Sequence, residues 1–187
     1  FDRRYPDTSS LDDIRTKKGE ELIKGKVGTE FSHLLNGNIS PDPIVLSYMI
    51  TKGELTVTYK YDTNPLQYCW RETIEECNHL TLVNLHQNIK PLESTSYNLT
   101  KVFVNPGHRI SLDMYNINDK TPLADGVELY ILEMDGSLTP YPVSKLDKYN
   151  YAFNLPEDNN SYFFIIKAIF ETYIGGIAYY PVYFNLR

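Results

Sequence analysis

Apolar residues along much of this chain recur with a period of two, the spacing of a strand with one face buried. In residues 54–61, Leu55, Val57, Tyr59 and Tyr61 fall on one side and Glu54, Thr56, Thr58 and Lys60 on the other, which predicts a half-buried strand. The run 44–50 is its natural partner, joined through Lys52-Gly53 as a tight turn. Two more strands are expected over 66–73 and 80–85. After them, Asn88-Ile89-Lys90-Pro91 and Ser94-Thr95-Ser96 carry the breaker residues of a linker. The clearest signal follows. Short strand patterns recur at 101–104, 109–115, 127–134, 138–143, 149–155, 162–171 and 177–184, separated by turn residues, and a series of this kind predicts a sandwich. Ile110, Leu112 and Met114 form one expected core row, and Tyr149, Tyr151, Phe153 and Leu155 another.

The connections carry their own chemistry. Asp135-Gly136 and Gly175-Gly176 can both supply the positive φ of a type I′ hairpin, so a hairpin is expected at each. Pro181 has no amide hydrogen, which places the last strand at a sheet edge or a bulge. Residues 1–28, by contrast, are densely polar with little apolar periodicity and read as a tether, with a short helix between Ser10 and Gly25 weakened by Gly19. The expected organisation is thus all-β: a tether over 1–28, an N-terminal β domain over 29–96 and a sandwich over 97–187.

The stretch Asn160-Ser161-Tyr162-Phe163-Phe164-Ile165-Ile166-Lys167-Ala168 resembles the penultimate strand of bacterial immunoglobulin-like domains. Tyr162 sits where such domains place a corner tyrosine, two residues before an inward-facing position occupied here by Phe164. The resemblance spans residues 97–187, which lack that family's cysteine pair and core tryptophan. It implies a Greek-key sandwich of about seven strands and an extracytoplasmic setting, but no active site, because the fold hosts many unrelated roles.

Composition narrows the partners. The chain has 187 residues, 16 of them Tyr and 8 Phe, and such aromatic richness favours pleated, half-buried surfaces. A formal charge of -6 disfavours nucleic acid, whose non-specific affinity comes from basic groups releasing counterions. The longest strongly apolar run, 162–166, is strand-sized, so no transmembrane helix is expected. A start at Phe1-Asp2-Arg3-Arg4 without a leader reads as a mature or trimmed chain, and an export or lipid-anchoring signal could precede it.

Cys69 and Cys77 are the only cysteines, and in an exported protein they should pair. Two other readings are open: a metal held by both thiols with His79 and His86, at a spacing that fits no compact zinc pattern, and a nucleophilic cysteine beside Trp70. His33 and His108 form no pair with the other imidazoles at strand or helix spacing. Asp12-Asp13, Glu20-Glu21 and Glu75-Glu76 read as solvated carboxylates. Asn116, Asn118 and Asp119, and separately Asp158, Asn159 and Asn160, are oxygen-rich loops outside the calcium-loop pattern. No glycine-rich phosphate loop, serine elbow or zinc-protease helix motif occurs, so neither a cofactor nor a catalytic set is expected. Sequons stand at Asn38, Asn98 and Asn159.

Exposed aromatics are the remaining functional lead. Tyr68 and Trp70 share one strand face beside Cys69, and Tyr179 and Tyr183 share a face of the last strand. Flat rings there could stack on sugars or anchor a protein. The expectation is a non-enzymatic, exported bacterial surface or periplasmic protein, a lipoprotein among its forms, that binds or positions a protein or glycan at the cell surface. The alternative is a dedicated glycan-binding module.

Overall fold

The computed structural model describes residues 30–36, 39–78, 80, 100–114 and 120–186. Within them the chain forms β1 (Ile44–Lys52), β2 (Leu55–Thr63), β3 (Gln67–Arg71), β4 (Thr100–Val104), β5 (Arg109–Met114), β6 (Gly126–Leu132), β7 (Leu138–Tyr141), β8 (Ser144–Lys145), β9 (Asn150–Asn154), β10 (Ser161–Phe170) and β11 (Gly175–Leu186), with short 3-10 helices at Ser32–Asn36 and Ile74–Cys77. None of these is a helix long and apolar enough to cross a membrane. The strands make two sheets, one in the order β2-β1-β5-β9-β8 and one in the order β3-β11-β10-β6-β7. The sheets are antiparallel throughout except that β4 runs parallel to β11. The expected strands over 80–85, the linker and the tether fall outside the described residues.

The two sheets enclose a single apolar core. Ile44, Leu46, Ile110, Leu112, Tyr151 and Phe153 from the first sheet meet Trp70, Val102, Leu129, Phe164, Ile166, Val182 and Phe184 from the second. This is a β-sandwich. From β5 onward the chain changes sheets repeatedly: β5 in the first, β6 and β7 in the second, β8 and β9 in the first, β10 and β11 in the second. Strands from both sides of the boundary expected near residue 96 are interleaved here. β1 pairs with β5 through Ile44↔Met114 to Ser47↔Ser111, and β3 pairs with β11 through Gly175↔Arg71 to Tyr179↔Gln67. Segments 29–96 and 97–187 therefore contribute to the same core, in which the later strands cover the apolar faces of β1 and β3.

β10 and β11 are buried on both faces, which is why 162–166 reads as an unbroken apolar run. Phe164 and Ile166 point into the sandwich, whereas Phe163 and Ile165 join Cys69, Cys77, Leu132, Ile177 and Tyr179 in a second buried cluster on the far side of the sheet. β11 is the seam of this sheet. One edge pairs with β10 from Gly176 to Asn185, and the other is shared between β3, over Gly175–Tyr179, and β4, over Val182–Leu186. Pro181 falls in the gap between those two partial neighbours, so its missing amide hydrogen costs no ladder bond, and its carbonyl accepts the Thr63 hydroxyl at 3.0 Å. The strand is interior where an edge was expected, and the proline is accommodated by the gap.

Three further differences have physical causes. β2 is exposed rather than half-buried, Leu55 at 73% and Val57 at 48%, because the β1–β2 hairpin runs past the end of β5, which pairs only with Ile44–Ser47. A hairpin does join β10 to β11, but Gly175 and Gly176 stand in the strand rather than the turn. A Cβ on Gly175 would lie 2.1 Å from the Thr73 carbonyl carbon, and one on Gly176 would lie 2.6 Å from Trp70 Cε3, so close approach is what requires glycine there. Gly136 does take positive φ, in a turn closed by Glu133 and Ser137. Tyr149 lies outside the core row it was grouped with, ahead of β9, while Ala152 on the opposite register is buried.

Candidate functional site

The connections before β6, between β8 and β9, and between β10 and β11 gather at one end of the sandwich. With the residues just before the first 3-10 helix they enclose a groove of about 370 Å³ lined by Phe31, Ala124, Lys145, Lys148, Tyr149 and Tyr173 among others. Tyr149 and Tyr173 are its exposed lips, at 39% and 47%, and buried Phe31 and Ala124 form apolar floor.

Each loop is pinned by named bonds. The Asp125 carboxylate accepts the amide of Glu171 at 2.6 Å, the amide of Thr172 at 2.9 Å and the Thr172 hydroxyl at 2.7 Å, which locks the β10–β11 turn onto the entry to β6. Its carbonyl accepts Lys145 Nζ at 3.1 Å, tying in β8. Asp147 Oδ1 accepts the amides of Tyr149 at 2.8 Å and Asn150 at 3.0 Å, and the Asn150 side-chain amide donates to both of its oxygens. Those bonds hold the Asp147 carboxyl below the usual range, the Asn150 side chain first and the Tyr149 amide next. The Tyr149 carbonyl in turn accepts the amide of Met114 at 2.9 Å. His33 Nε2 lies 2.8 Å from the Lys120 carbonyl and fixes the 3-10 helix to the same end. Over this frame, the Phe31 and Tyr173 ring centres are 5.7 Å apart and the Lys148 ammonium stands 5.3 Å from the Tyr149 ring centre.

Chemically, the groove offers two ring faces, two ammonium groups and the carboxylate of Glu30, a set suited to holding a polar ligand with an anionic group. Asp125, the other carboxylate of the lining, has both oxygens engaged with loop donors.

The residues singled out by sequence lie elsewhere. Trp70 is buried, packed 4.8 Å from the Phe170 ring and donating from Nε1 to the Ile39 carbonyl at 2.7 Å, and Tyr68 is half-buried against the same core. Tyr179 is buried on the opposite face of that sheet, its hydroxyl donating to the Leu80 carbonyl at 3.2 Å and held neutral to higher pH, by burial first and then by the Glu128 charge. Tyr183 is half-buried 6.1 Å from Phe163, beside a second depression of about 410 Å³ that includes Lys101, Glu133 and Ser161. The four residues therefore do not form one exposed row. Cys69 and Cys77 are joined in a disulfide with Cα atoms 5.8 Å apart, which removes the thiols from any metal or nucleophile role. His79, His86, Asn116, Asn118 and Asp119 lie outside the described residues. In the other oxygen-rich loop, Asp158 accepts the Asn160 amide and the Tyr162 hydroxyl, so that corner tyrosine bonds a carboxylate rather than backbone. Among the described residues no three His, Cys, Asp or Glu side chains converge as a metal site would need.

Sequence reasoning missed Tyr149 and Tyr173 for different reasons. Tyr149 reads as the first residue of an alternating strand, and Tyr173 stands alone between two strand patterns. Comparison with protein-family models finds no match for this chain, and comparison with curated proteins finds none either.

Proposed function

We propose that this chain is a non-enzymatic, exported binding module of immunoglobulin-like connectivity that takes its partner in the groove between Tyr149 and Tyr173. The connectivity supports the fold reading: β5, β9 and β8 stand in the order of strands B, E and D, and β7, β6, β10 and β11 in the order C′, C, F and G, with β4 parallel to the last strand. On that reading the groove belongs to the B–C, D–E and F–G loops, and variable domains build their binding surface from B–C and F–G loops at one end. Trp70, arriving from β3, fills the role of the core tryptophan missing from 97–187. Export is supported by the disulfide, which persists in oxidising compartments.

The observation that carries the reading is the pair of exposed tyrosines on loops already fixed by Asp125 and Asp147, since a preformed site loses little entropy on binding. A protein segment is the leading partner. A glycan is the second reading, favoured by two ring faces flanking ammonium groups, the arrangement sugar rings and their carboxylates use. The test is to screen the intact protein against a phage-displayed peptide library and a glycan array, then repeat the hits with Tyr149→Ala/Tyr173→Ala and, as control, Tyr183→Ala. Affinity should fall about tenfold or more in the groove variant and hold in the control. Peptide hits select the first reading and glycan hits the second. Binding indifferent to the groove variant rejects both.

A further inference from the structure

β2 is the edge strand of the first sheet, and it is unusually open. The Thr100 hydroxyl donates to the Asp62 carbonyl at 2.9 Å, so that carbonyl points away from β1. Backbone groups alternate along a strand, so the amides and carbonyls of Thr56, Thr58 and Lys60 point the same way. Those groups meet no partner among the described residues. On the sheet face beside them, Leu55, Val57 and Tyr59 form an apolar row exposed at 73%, 48% and 41%. Tyr59 continues that row to Tyr48, with ring centres 5.2 Å apart, and so to the core. A flat, partly apolar edge of this kind is what proteins ordinarily blunt or cover.

We propose that the occupant of this edge is a second copy of the chain, pairing β2 with β2 antiparallel about a two-fold axis through Val57. The register follows from the sequence of the edge itself. Outward-facing residues must oppose outward-facing residues, which places the axis on a residue rather than between two. Centred on Val57, Thr56 opposes Thr58 of the other copy, and Glu54, the turn residue next to β2, comes beside Lys60, each twice by symmetry. Leu55 then lies against Tyr59 and Val57 against Val57, so the apolar rows of the two copies join on one face. The neighbouring registers fail. An axis on Thr58 sets Glu54 against Asp62, and one on Thr56 leaves Lys60 with no residue opposite, because the chain turns back into β1 at Gly53. An axis on Tyr59 needs the Asp62 carbonyl that Thr100 already holds. Only the Val57 register pairs opposite charges, keeps apolar against apolar and uses the stretch of edge that meets no partner among the described residues. The product is a continuous sheet spanning both copies, with the two ligand grooves on separate sandwiches.

Sedimentation equilibrium of the full chain over a concentration series tests this. The expected result is a reversible dimer of twice 21.7 kDa. Lys60→Glu, which sets Glu54 against a carboxylate at both ends, should raise the dimer dissociation constant about tenfold or more, and adding Glu54→Lys to it should restore the constant to within about threefold. Thr58→Pro removes an outward amide that meets no partner among the described residues and should leave only monomer. Circular dichroism and the emission of Trp70 report that each variant folds. A wild-type chain that stays monomeric throughout, or a dimer indifferent to both Lys60→Glu and Thr58→Pro, overturns the proposal. If Thr58→Pro does not fold, the charge swap alone decides.

Discussion

At the scale of single residues, Gly175 and Gly176 lie tight under the turn after β3 and under the Trp70 indole. Gly175 meets backbone and Gly176 meets a large ring held by its own hydrogen bond, so neither neighbour can give way cheaply. Gly175→Ala should lower unfolding stability by about 3 kcal/mol or more and Gly176→Ala by about 1–3 kcal/mol. The measurement is urea denaturation followed by the emission of Trp70, the only tryptophan. Of the two variants, Gly176→Ala should also shift the native emission, because it displaces the fluorophore itself. An equal and negligible effect of both would remove the packing account. Sequence reading found the glycine pair but gave it a turn, because positive φ is a local property and close approach is not. The core rows were legible for the opposite reason: Ile110, Leu112 and Met114 announce their face by alternation alone, and all three are buried. Tyr149 broke its row because Asp147 holds it in a turn.

At the scale of elements, ten of the eleven strands among the described residues overlap stretches whose pattern predicts them, and the exception, β8, is two residues long and has no room to show a period. What periodicity could not supply is neighbours. β2 alternates as cleanly as any strand, yet its apolar row is exposed, because burial depends on whether another sheet lies opposite. The candidate groove was illegible on the same ground: its residues come from three connections, the end of β8 and the residues just before the first 3-10 helix, and share no local pattern. The disulfide was legible from compartment reasoning, and its placement now has a clear role. It ties β3, which pairs with only half of one edge of β11, to the 3-10 helix Ile74–Cys77 packed beside it. Replacing both cysteines with serine should cost about 2–3 kcal/mol on the loop-entropy estimate for so short a ring. The loss reads out as a lower urea midpoint at unchanged slope. A midpoint within error of the wild type would show that β3 is held by its packing alone.

At the scale of the whole molecule, the sheets ignore the boundary that breaker residues had marked near 96. A fragment of residues 97–187 lacks β1, β2 and β3, and with them Ile44, Leu46 and Trp70 from the core. That fragment should give poorly dispersed amide resonances and no cooperative melt, whereas the whole chain gives both. A fragment that folds cooperatively would restore the two-domain organisation. The seam strand has a consequence of another kind, in the order of events by which the protein is made. β11 follows β3, β4 and β10 in the chain and is the strand that joins all three. Synthesis delivers the chain from its N-terminus, so β3 and β4 wait for residues 175–186 before they can join the second sheet, whereas β6, β7 and β10 can pair sooner. Contacts this distant in sequence also form slowly. Until residues 175–186 emerge, β3 and β4 have no strand to join in that sheet, so its completion comes late.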